Sequence, residues 1–320
     1  MPTIGHVTTP AASASGAAKR PLILDGGMSN ALEARGHDLS DALWSARLLR
    51  DAPQEIAAVH RTYYEAGAGI ATTASYQASV DGFVRDGADP EQARCLIRRS
   101  VQIARDVRDD MTGDGRARWV AASVGPYGAV LADGSEYRGR YGLSAARLRD
   151  FHLPRLELLA AAGPDVLAIE TIPDADEAEV LVAAVEGLGV PAWLSYTVSG
   201  DRTRAGQPLA EAFAVAAGSD AVVAVGVNCC APGDVADAIV NAGAVTGLPA
   251  VAYPNRGERW DGRAGGWAGG GSFDVAMAAD WVAAGATYVG GCCRVGPADI
   301  AALATVLAVP SELGPVRTQP

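Results

Sequence analysis

The sequence predicts an α/β fold, a single (β/α)8 barrel, from two observations. Short β-rich runs alternate with segments of helical periodicity along the whole chain, which is typical of repeated βα units around a parallel sheet. Eight such runs can be counted, and 320 residues is a length at which eight units form one domain. We therefore expect one barrel domain over residues 21–310, with a mobile N-terminal tail at residues 1–20 and a C-terminal tail at residues 311–320.

The predicted strands are short apolar runs at residues 21–24, 69–73, 119–124, 165–169, 192–197, 221–227, 250–253 and 287–290. Helical spacing of apolar residues, with Pro or Asp near the start, predicts helices at residues 53–66, 90–109, 145–162, 175–187 and 232–242. A doubly wound open sheet is the alternative, and it requires a glycine-rich phosphate-binding turn after the first strand. The run DGGM at residues 25–28 is too short for that turn, so the barrel is favoured.

Charge and hydropathy exclude two classes of partner. The 37 acidic residues outnumber 26 Lys and Arg, and a net charge of -11 opposes binding to the phosphate backbone of nucleic acids. No uninterrupted apolar stretch approaches the roughly 20 residues that span a bilayer. Residues 1–20 lack a secretory signal, and the odd number of cysteines argues against a disulfide framework, so we expect a cytoplasmic protein with reduced thiols. A monomer and a small homo-oligomer are both compatible with the sequence.

Four of the five cysteines form two doublets, in the runs GVNCCAP and YVGGCCRVG, each where an apolar segment ends. Catalytic zinc typically has three protein ligands and one open position, and Cys229, Cys292 and Cys293 supply that number. Both cysteines of the second doublet can face one metal only if the chain turns there, which Gly290-Gly291 permits. The alternatives are core thiols or a vicinal disulfide. For Cys230 we consider a spare thiol or packing, and Cys95, in a helical segment, is expected in the core.

Other polar residues at predicted strand ends are candidates for substrate binding, because barrel enzymes place their chemistry there. Asp25 and Glu170, after the first and fourth strands, could together hold an ammonium group. Asp25 could instead cap a turn, and Glu170 could pair with an arginine. Asn228 could orient a metal-bound group or satisfy strand-end backbone. The remaining candidates are Thr73, Ser75, Gly26 and Gly27, where the glycines let the backbone approach a ligand.

Two connections are long for a barrel and rich in aromatic residues and glycine, at residues 127–141 and 256–272. Long barrel loops are commonly lids or binding loops. Tyr137, Tyr141 and Trp267 could face a sulfonium or ammonium group through cation-π contact. An aromatic residue on a loop serves at least as often as a hydrophobic pin.

The runs LDGGMSNALEARG, TTASYQAS, ADGSEYRGRYG, AIETIPD, GVNCCAP, YPNRGE and GGCCRVGP, in this order, resemble the homocysteine S-methyltransferase family, particularly its compact bacterial and plant members that use S-methylmethionine. The resemblance runs from about residue 21 to about residue 309. It implies a TIM barrel whose zinc is held by Cys229, Cys292 and Cys293. It also implies that Asp25 and Glu170 bind the amino group of L-homocysteine, and that a sulfonium methyl group is transferred to its thiolate, giving methionine.

The length of the chain favours S-methylmethionine as the donor, with S-adenosylmethionine second. Cobalamin-dependent methionine synthases carry additional modules, and betaine-dependent relatives are generally longer. The alternative functions are a methyltransferase for another thiol or selenol, a non-enzymatic zinc-binding barrel, and a metal-free hydrolase that uses Asp25 and Glu170. A structural zinc site normally has four protein ligands, and the hydrolase leaves the cysteine doublets unexplained.

Overall fold

The structure, a computed structural model, describes residues 20–40, 43–261 and 266–308, without the side chains of residues 259–261 and 266–268. The expected tails lie outside the described residues, apart from Arg20.

Eight parallel strands form one sheet in which each strand pairs with the next along the chain. A parallel bridge between Leu24 and Ile70, with Asp25 N–H donating to Ile70 O at 3.1 Å, joins the first strand to the second and closes the barrel. The predicted (β/α)8 fold is confirmed. The strands are β1 (Leu22–Ile23), β2 (Ile70–Thr72), β3 (Trp119–Val124), β4 (Val166–Ile172), β5 (Ala192–Tyr196), β6 (Val222–Asn228), β7 (Ala250–Tyr253) and β8 (Ala286–Val289).

Two strands run further than the sequence predicts, so two candidate site residues lie inside strands rather than after them. β4 includes Glu170, and β6 ends at Asn228. The pairing of β4 with β5 resumes at Ile172 after a register shift that follows Ile169. A bulge of this kind turns a side chain without ending the strand, and apolar patterning does not reveal it.

Helices connect the strands and cover the outside of the barrel. They are α1 (Met28–Ala34), α2 (Leu48–Asp51), α3 (Pro53–Glu65), α4 (Val80–Arg85), α5 (Pro90–Asp110), α6 (Ala145–Ala161), α7 (Ala175–Val185), α8 (Leu209–Ala214), α9 (Val235–Thr246), α10 (Met277–Ala283) and α11 (Pro297–Ala308). Short 3-10 helices occur in the loops at Trp44–Arg47, Thr112–Asp114, Tyr127–Leu131, Ser135–Tyr137 and Pro232–Asp234.

Helix α5 shows how local sequence sets these elements. Asp89 caps its first turn, accepting from the N–H groups of Glu91 and Gln92 at 3.0 and 2.9 Å, and Pro90 occupies the first position, where no N–H is needed. The expectation that Cys95 lies in the core is wrong. Cys95 is exposed because the helical repeat buries Leu96 and its neighbours on the opposite face.

The barrel interior is filled by an apolar cluster of its own, so it is a packed core and not a channel. Trp193 of β5 is nearly fully buried there, and its indole N–H donates to Tyr253 OH of β7 at 3.0 Å. The cluster comprises Leu24, Ile70, Ala121, Val166, Ala168, Trp193, Ala224, Val251 and Tyr253. This core closes the floor beneath the carboxyl ends of the strands.

Among the described helices, none combines the length and apolar character that a bilayer crossing requires.

Gly226 tests how tightly the strands approach. An ideal Cβ at Gly226 of β6 would lie 1.9 Å from the carbonyl oxygen of Val251 in β7, whereas one at the exposed Gly243 of α9 would meet nothing within 4 Å. We expect Gly226→Ala to destabilise the fold by more than about 3 kcal/mol, because backbone has to move. Gly243→Ala should stabilise it by about 0.5–1 kcal/mol. Urea unfolding of both variants measures this, and equal midpoints would contradict the strand contact.

Candidate active site and metal centre

A pocket opens at the carboxyl ends of the barrel strands, where barrel enzymes place their catalytic groups. Most of the predicted site residues line it, namely Asp25, Gly26, Gly27, Thr73, Tyr137, Glu170, Cys229, Cys292 and Cys293. The pocket contains no Lys, Arg or His among its described lining residues, but it contains three carboxylates. Its chemistry therefore suits positively charged ligands and a thiophilic metal.

The sulfur atoms of Cys229, Cys292 and Cys293 lie within 4.8 Å of one another, and those of Cys229 and Cys293 are 3.6 Å apart. All three thiols are held by backbone contacts to the end of β7. Cys229 N–H donates to Tyr253 O at 3.2 Å, and Cys292 N–H donates to Pro254 O at 2.8 Å. The backbone N–H of Cys293 donates to the Asn255 side chain at 3.0 Å.

The glycines beside these cysteines permit close packing of two loops. An ideal Cβ at Gly291 would lie 2.1 Å from Cγ1 of Val295, and one at Gly26 would lie 2.2 Å from Val295 O. At Gly27 the Cβ would lie 2.8 Å from Cys292 O. None of the three glycines has a positive φ. The chain therefore turns into the second doublet as expected, but the glycines are required by close approach and not by a left-handed conformation.

The three thiols fit a zinc ion. Zinc–sulfur bonds of about 2.3 Å in tetrahedral geometry place two sulfurs roughly 3.8 Å apart, close to the separation of Cys229 and Cys293. Hydrogen bonds from Cys229 and Cys292 hold the pKa of Cys293 well below its ordinary value, as a metal ligand requires. No histidine joins the described cluster, so a bound zinc would keep one position for a substrate.

The alternatives considered for the cysteines are now decided geometrically. All five cysteines are free, so neither doublet is a vicinal disulfide. Cys230 is 3% exposed and belongs to the apolar core, which gives it the packing role.

Asp25 and Glu170 are both buried at the pocket, at 3% and 6% exposure. Asp25 accepts from Thr72 N–H at 2.7 Å and from the Thr72 hydroxyl at 2.8 Å, so it binds the neighbouring strand and does not cap its own turn. Burial raises the pKa of Asp25 to about 8 against these hydrogen bonds, with a further contribution from the charge of Glu170.

Glu170 accepts a hydrogen bond from the Ser123 hydroxyl. Burial raises the pKa of Glu170 to about 7, although that hydrogen bond and one with Tyr253 oppose the shift. No arginine pairs with Glu170 among the described residues. A cation placed between Asp25 and Glu170 would supply the charge that both lack.

Asn228 positions Glu170 instead of lining the pocket. Its Oδ1 accepts from Thr171 N–H at 2.7 Å and from the Ser195 hydroxyl at 2.8 Å, and its Nδ2 donates to the Thr171 hydroxyl at 2.8 Å. Thr171 has a φ of 59°, which is rare for a β-branched residue. The hydrogen bonds of Asn228 thus hold the strained backbone next to Glu170. They give Asn228 the backbone role of the two that we considered.

Thr73 and Ser75 form a closed hydrogen-bond set at the ends of β2 and β3. Ser75 donates to Ser123 O at 2.7 Å, Thr73 shares a hydrogen bond of 2.7 Å with Ser75, and Ser123 N–H donates to the Thr73 hydroxyl at 3.0 Å. Thr73 lines the pocket, whereas the fully buried Ser75 does not. Ser75 therefore supports the residues that face a ligand.

The aromatic candidates on the loops have different outcomes. The Tyr137 hydroxyl lies 3.1 Å from Cys229 Sγ, so this residue reaches the thiol cluster. Tyr141 packs on Tyr127 with ring centroids 5.4 Å apart and does not line the pocket, so it serves as the pin considered above. The prediction for Trp267 falls on a side chain outside the described residues.

Sequence reasoning missed Trp44, Tyr76 and Glu136, which also line the pocket. Trp44 lies in the long connection between β1 and β2, far from any strand end, and has a φ of 45°. Tyr76 directly follows the predicted Ser75. Glu136 lies beside Tyr137 in a loop already considered for ligand binding, so the signal for it was present.

Comparison with known proteins gives consistent matches over nearly the whole barrel. The family model described as homocysteine S-methyltransferase matches residues 22–307. The homocysteine S-methyltransferase of Escherichia coli is 45% identical over 290 residues, covering 88% of this chain and 94% of the relative. A selenocysteine Se-methyltransferase of Brassica oleracea is 41% identical over 301 residues, covering 88% and 87%. The metallated crystal structure of the homocysteine methyltransferase MmuM from Escherichia coli superposes with a TM-score of 0.81 at 43% identity, covering 90% and 96%.

Metal content tests the thiol cluster. We expect about one zinc per chain in the reduced wild-type protein, and loss of that zinc in Cys292→Ser and Cys293→Ser, because an open site has no ligand to spare. Cys230→Ser is the matched control and should keep its zinc, although a hydroxyl in the apolar core should lower its stability. Elemental analysis after dialysis measures this, and full zinc content in either of the first two variants would refute the cluster as the ligand set.

The pH dependence of stability tests the burial of Glu170. Its folded pKa of about 7 exceeds the ordinary value of 4.5, so the native state holds this proton more tightly. The resulting stabilisation is complete below pH ~4.5 and is lost as the pH rises through about 7. At pH 8 the metal-free Glu170→Gln protein should be more stable than wild type by roughly 1–3 kcal/mol, with little difference at pH 5.

Urea unfolding at both pH values measures this effect. Replacing the exposed Glu157 by Gln is the control and should change stability equally at pH 5 and pH 8. A Glu170→Gln protein that is less stable than wild type at pH 8 would instead indicate a structural ion pair.

Proposed function

Because the chain belongs to the homocysteine S-methyltransferase family, we propose that it transfers a methyl group from a sulfonium donor to the sulfur of L-homocysteine, forming methionine. One observation carries the proposal. Three converging thiols share a pocket with buried carboxylates and, among the described lining residues, no basic side chain. Such a pocket suits a metal-bound thiol on an amino acid together with a cationic methyl donor.

Cys229, Cys292 and Cys293 would hold the zinc ion of this enzyme. When bound, zinc lowers the pKa of a coordinated thiol, which keeps the acceptor sulfur nucleophilic at neutral pH. The Tyr137 hydroxyl, 3.1 Å from Cys229 Sγ, donates to that sulfur and fixes its orientation.

Asp25 and Glu170 bind the ammonium group of homocysteine in this proposal. Both are buried, and no described cation pairs with either. An ammonium group between them favours their charged forms and thereby reverses the effect of burial on their pKa values. Ser123, Thr72 and Asn228 fix the two carboxylates, so the acceptor is aligned before the reaction.

The transfer balances without an acid. A lone pair of the homocysteine sulfur forms a bond to the methyl carbon while the bond between that carbon and the donor sulfur breaks. The electron pair of the broken bond stays on the donor sulfur, which leaves as a neutral thioether. The thiol proton of homocysteine passes to solvent when the acceptor binds. The pocket residues thus serve mainly to align the two sulfur atoms and to exclude water.

For the donor we favour S-methylmethionine, with S-adenosylmethionine second, because a compact chain of 320 residues leaves no room for folate or cobalamin modules. A selenol acceptor is the second candidate function, favoured by the likeness to a selenocysteine Se-methyltransferase. A non-enzymatic zinc store is disfavoured, because three thiols leave the site open. The same proposal includes a cytoplasmic location, one functional domain over residues 21–310, and a monomer or small homo-oligomer.

An activity screen tests the proposal. Zinc-loaded protein is supplied with homocysteine and, in turn, S-methylmethionine, S-adenosylmethionine, betaine and methyltetrahydrofolate, and methionine formation is measured by chromatography. We expect S-methylmethionine to react fastest, S-adenosylmethionine more slowly, and the other two to be inert. Cys293→Ser is the inactive control. Glu170→Gln should raise the KM for homocysteine about 10 to 100-fold, the value of a charged hydrogen bond.

A betaine rate above both sulfonium rates would overturn the donor assignment. Faster methylation of selenocysteine than of homocysteine would favour the second candidate. Activity with no donor and no acceptor would refute the function.

A further inference from the structure

Glu136 is a buried carboxylate that the proposed mechanism does not use. It is 3% exposed and lines the pocket, and its Oε2 accepts no hydrogen bond within the described part of the chain. No described cation forms an ion pair with it. Burying an unpaired carboxylate costs free energy, and buried polar groups are normally satisfied. A cationic ligand in the pocket would satisfy Glu136.

Glu136 lies on the side of the pocket that holds the thiol cluster. The next residue, Tyr137, places its hydroxyl 3.1 Å from Cys229 Sγ. The negative charge of Cys229 adds to burial in raising the pKa of Glu136 to about 7, which also places the two groups near each other. A ligand group that contacts Glu136 is therefore close to the reacting sulfur.

The loop that carries Glu136 is fixed from several directions. An ideal Cβ at Gly128 would lie 2.5 Å from Glu136 N, so the loop packs directly on this glycine. Arg204 Nε donates to Tyr137 O at 3.2 Å, and Arg138 donates to the Ser135 hydroxyl at 3.0 Å. The carboxylate is thus held in place before a ligand arrives, which lowers the entropic cost of binding.

We propose that Glu136 is the donor-binding residue, whose carboxylate holds the positively charged sulfur of the methyl donor beside the acceptor sulfur. This inference rests on the proposed function. A sulfonium group has no N–H to donate, so negative charge and aromatic faces are what can recognise it. In S-methylmethionine the ammonium nitrogen lies four bonds from the sulfonium, roughly 5 Å away in an extended chain, so the group beside the thiol cluster is the sulfonium.

The chemistry predicts an unusual kinetic effect for this residue. Positive charge on the donor sulfur decreases as the methyl group leaves, so the attraction to Glu136 is stronger in the ground state than in the transition state. Such an interaction favours donor binding more than the chemical step. Its removal should raise KM for the donor and leave kcat unchanged or increased.

The test is binding and kinetics of Glu136→Gln, which keeps the shape of the side chain and removes its charge. Calorimetry on zinc-loaded protein without homocysteine compares S-methylmethionine with methionine, which has the same ammonium and carboxylate but a neutral sulfur. We expect the Kd for S-methylmethionine to rise about 10 to 100-fold and that for methionine to change less than about threefold. In turnover, KM for the donor should rise similarly, without loss of kcat.

Two matched variants separate this role from others. Glu170→Gln should raise KM for homocysteine and leave the Kd for S-methylmethionine unchanged. Asp133→Asn removes a charge from the exposed part of the same loop, and its side chain can still accept from Ser135 N–H, so it should behave as wild type. Glu136→Asp keeps the charge and should restore most of the affinity, which a folding defect in Glu136→Gln would not explain.

Unchanged affinity of Glu136→Gln for S-methylmethionine, in a protein whose wild type is active, would overturn the inference and leave the proposed function intact. Equal losses for S-methylmethionine and methionine would also overturn it, because they would indicate contact with the ammonium group. A wild type that methylates no acceptor but binds S-methylmethionine through Glu136 would refute the proposed function alone.

Discussion

The site depends on the backbone hydrogen bonds that tie the ends of β6, β7 and β8 together. Cys229 and Cys293 are 64 residues apart, yet their sulfur atoms are 3.6 Å apart because the chain around each is bonded to residues 253–255. Neighbouring strands in a parallel barrel end at the same face, so such contacts form without a special connection. A shift of one residue in this pairing would separate the thiols.

A second constraint is electrostatic. The described pocket gathers Asp25, Glu136 and Glu170 with three thiols, and the described residues place no basic side chain among them. Burial raises the pKa of each carboxylate, so the free protein is less stable at alkaline pH than an apolar pocket would make it. Cationic ligands relieve this cost when they bind. Stability and ligand recognition are therefore opposed at this site, as is common in enzymes.

Much of this arrangement follows from the sequence. All eight strands were predictable from apolar runs and turn residues, and the strand-end rule identified the thiols with Asp25 and Glu170. The failures have physical causes. The bulge that keeps Glu170 within β4 depends on the neighbouring strand, and Cys95 was placed in the core by residue type without regard to helical phase. Trp44 and Glu136 reach the pocket from loops, whose conformation depends on tertiary contacts.

The packed floor of the barrel has a consequence for the order of events. With Trp193 and its neighbours filling the space below, ligands enter and leave through the mouth at the strand ends. Asp25 and Glu170 come from the strands and lie nearer the floor than Glu136, which a loop contributes. A molecule held by the first two carboxylates is then covered by one held at the third. The acceptor is the first to arrive and the last to depart, so the architecture imposes a compulsory sequence on a two-substrate reaction.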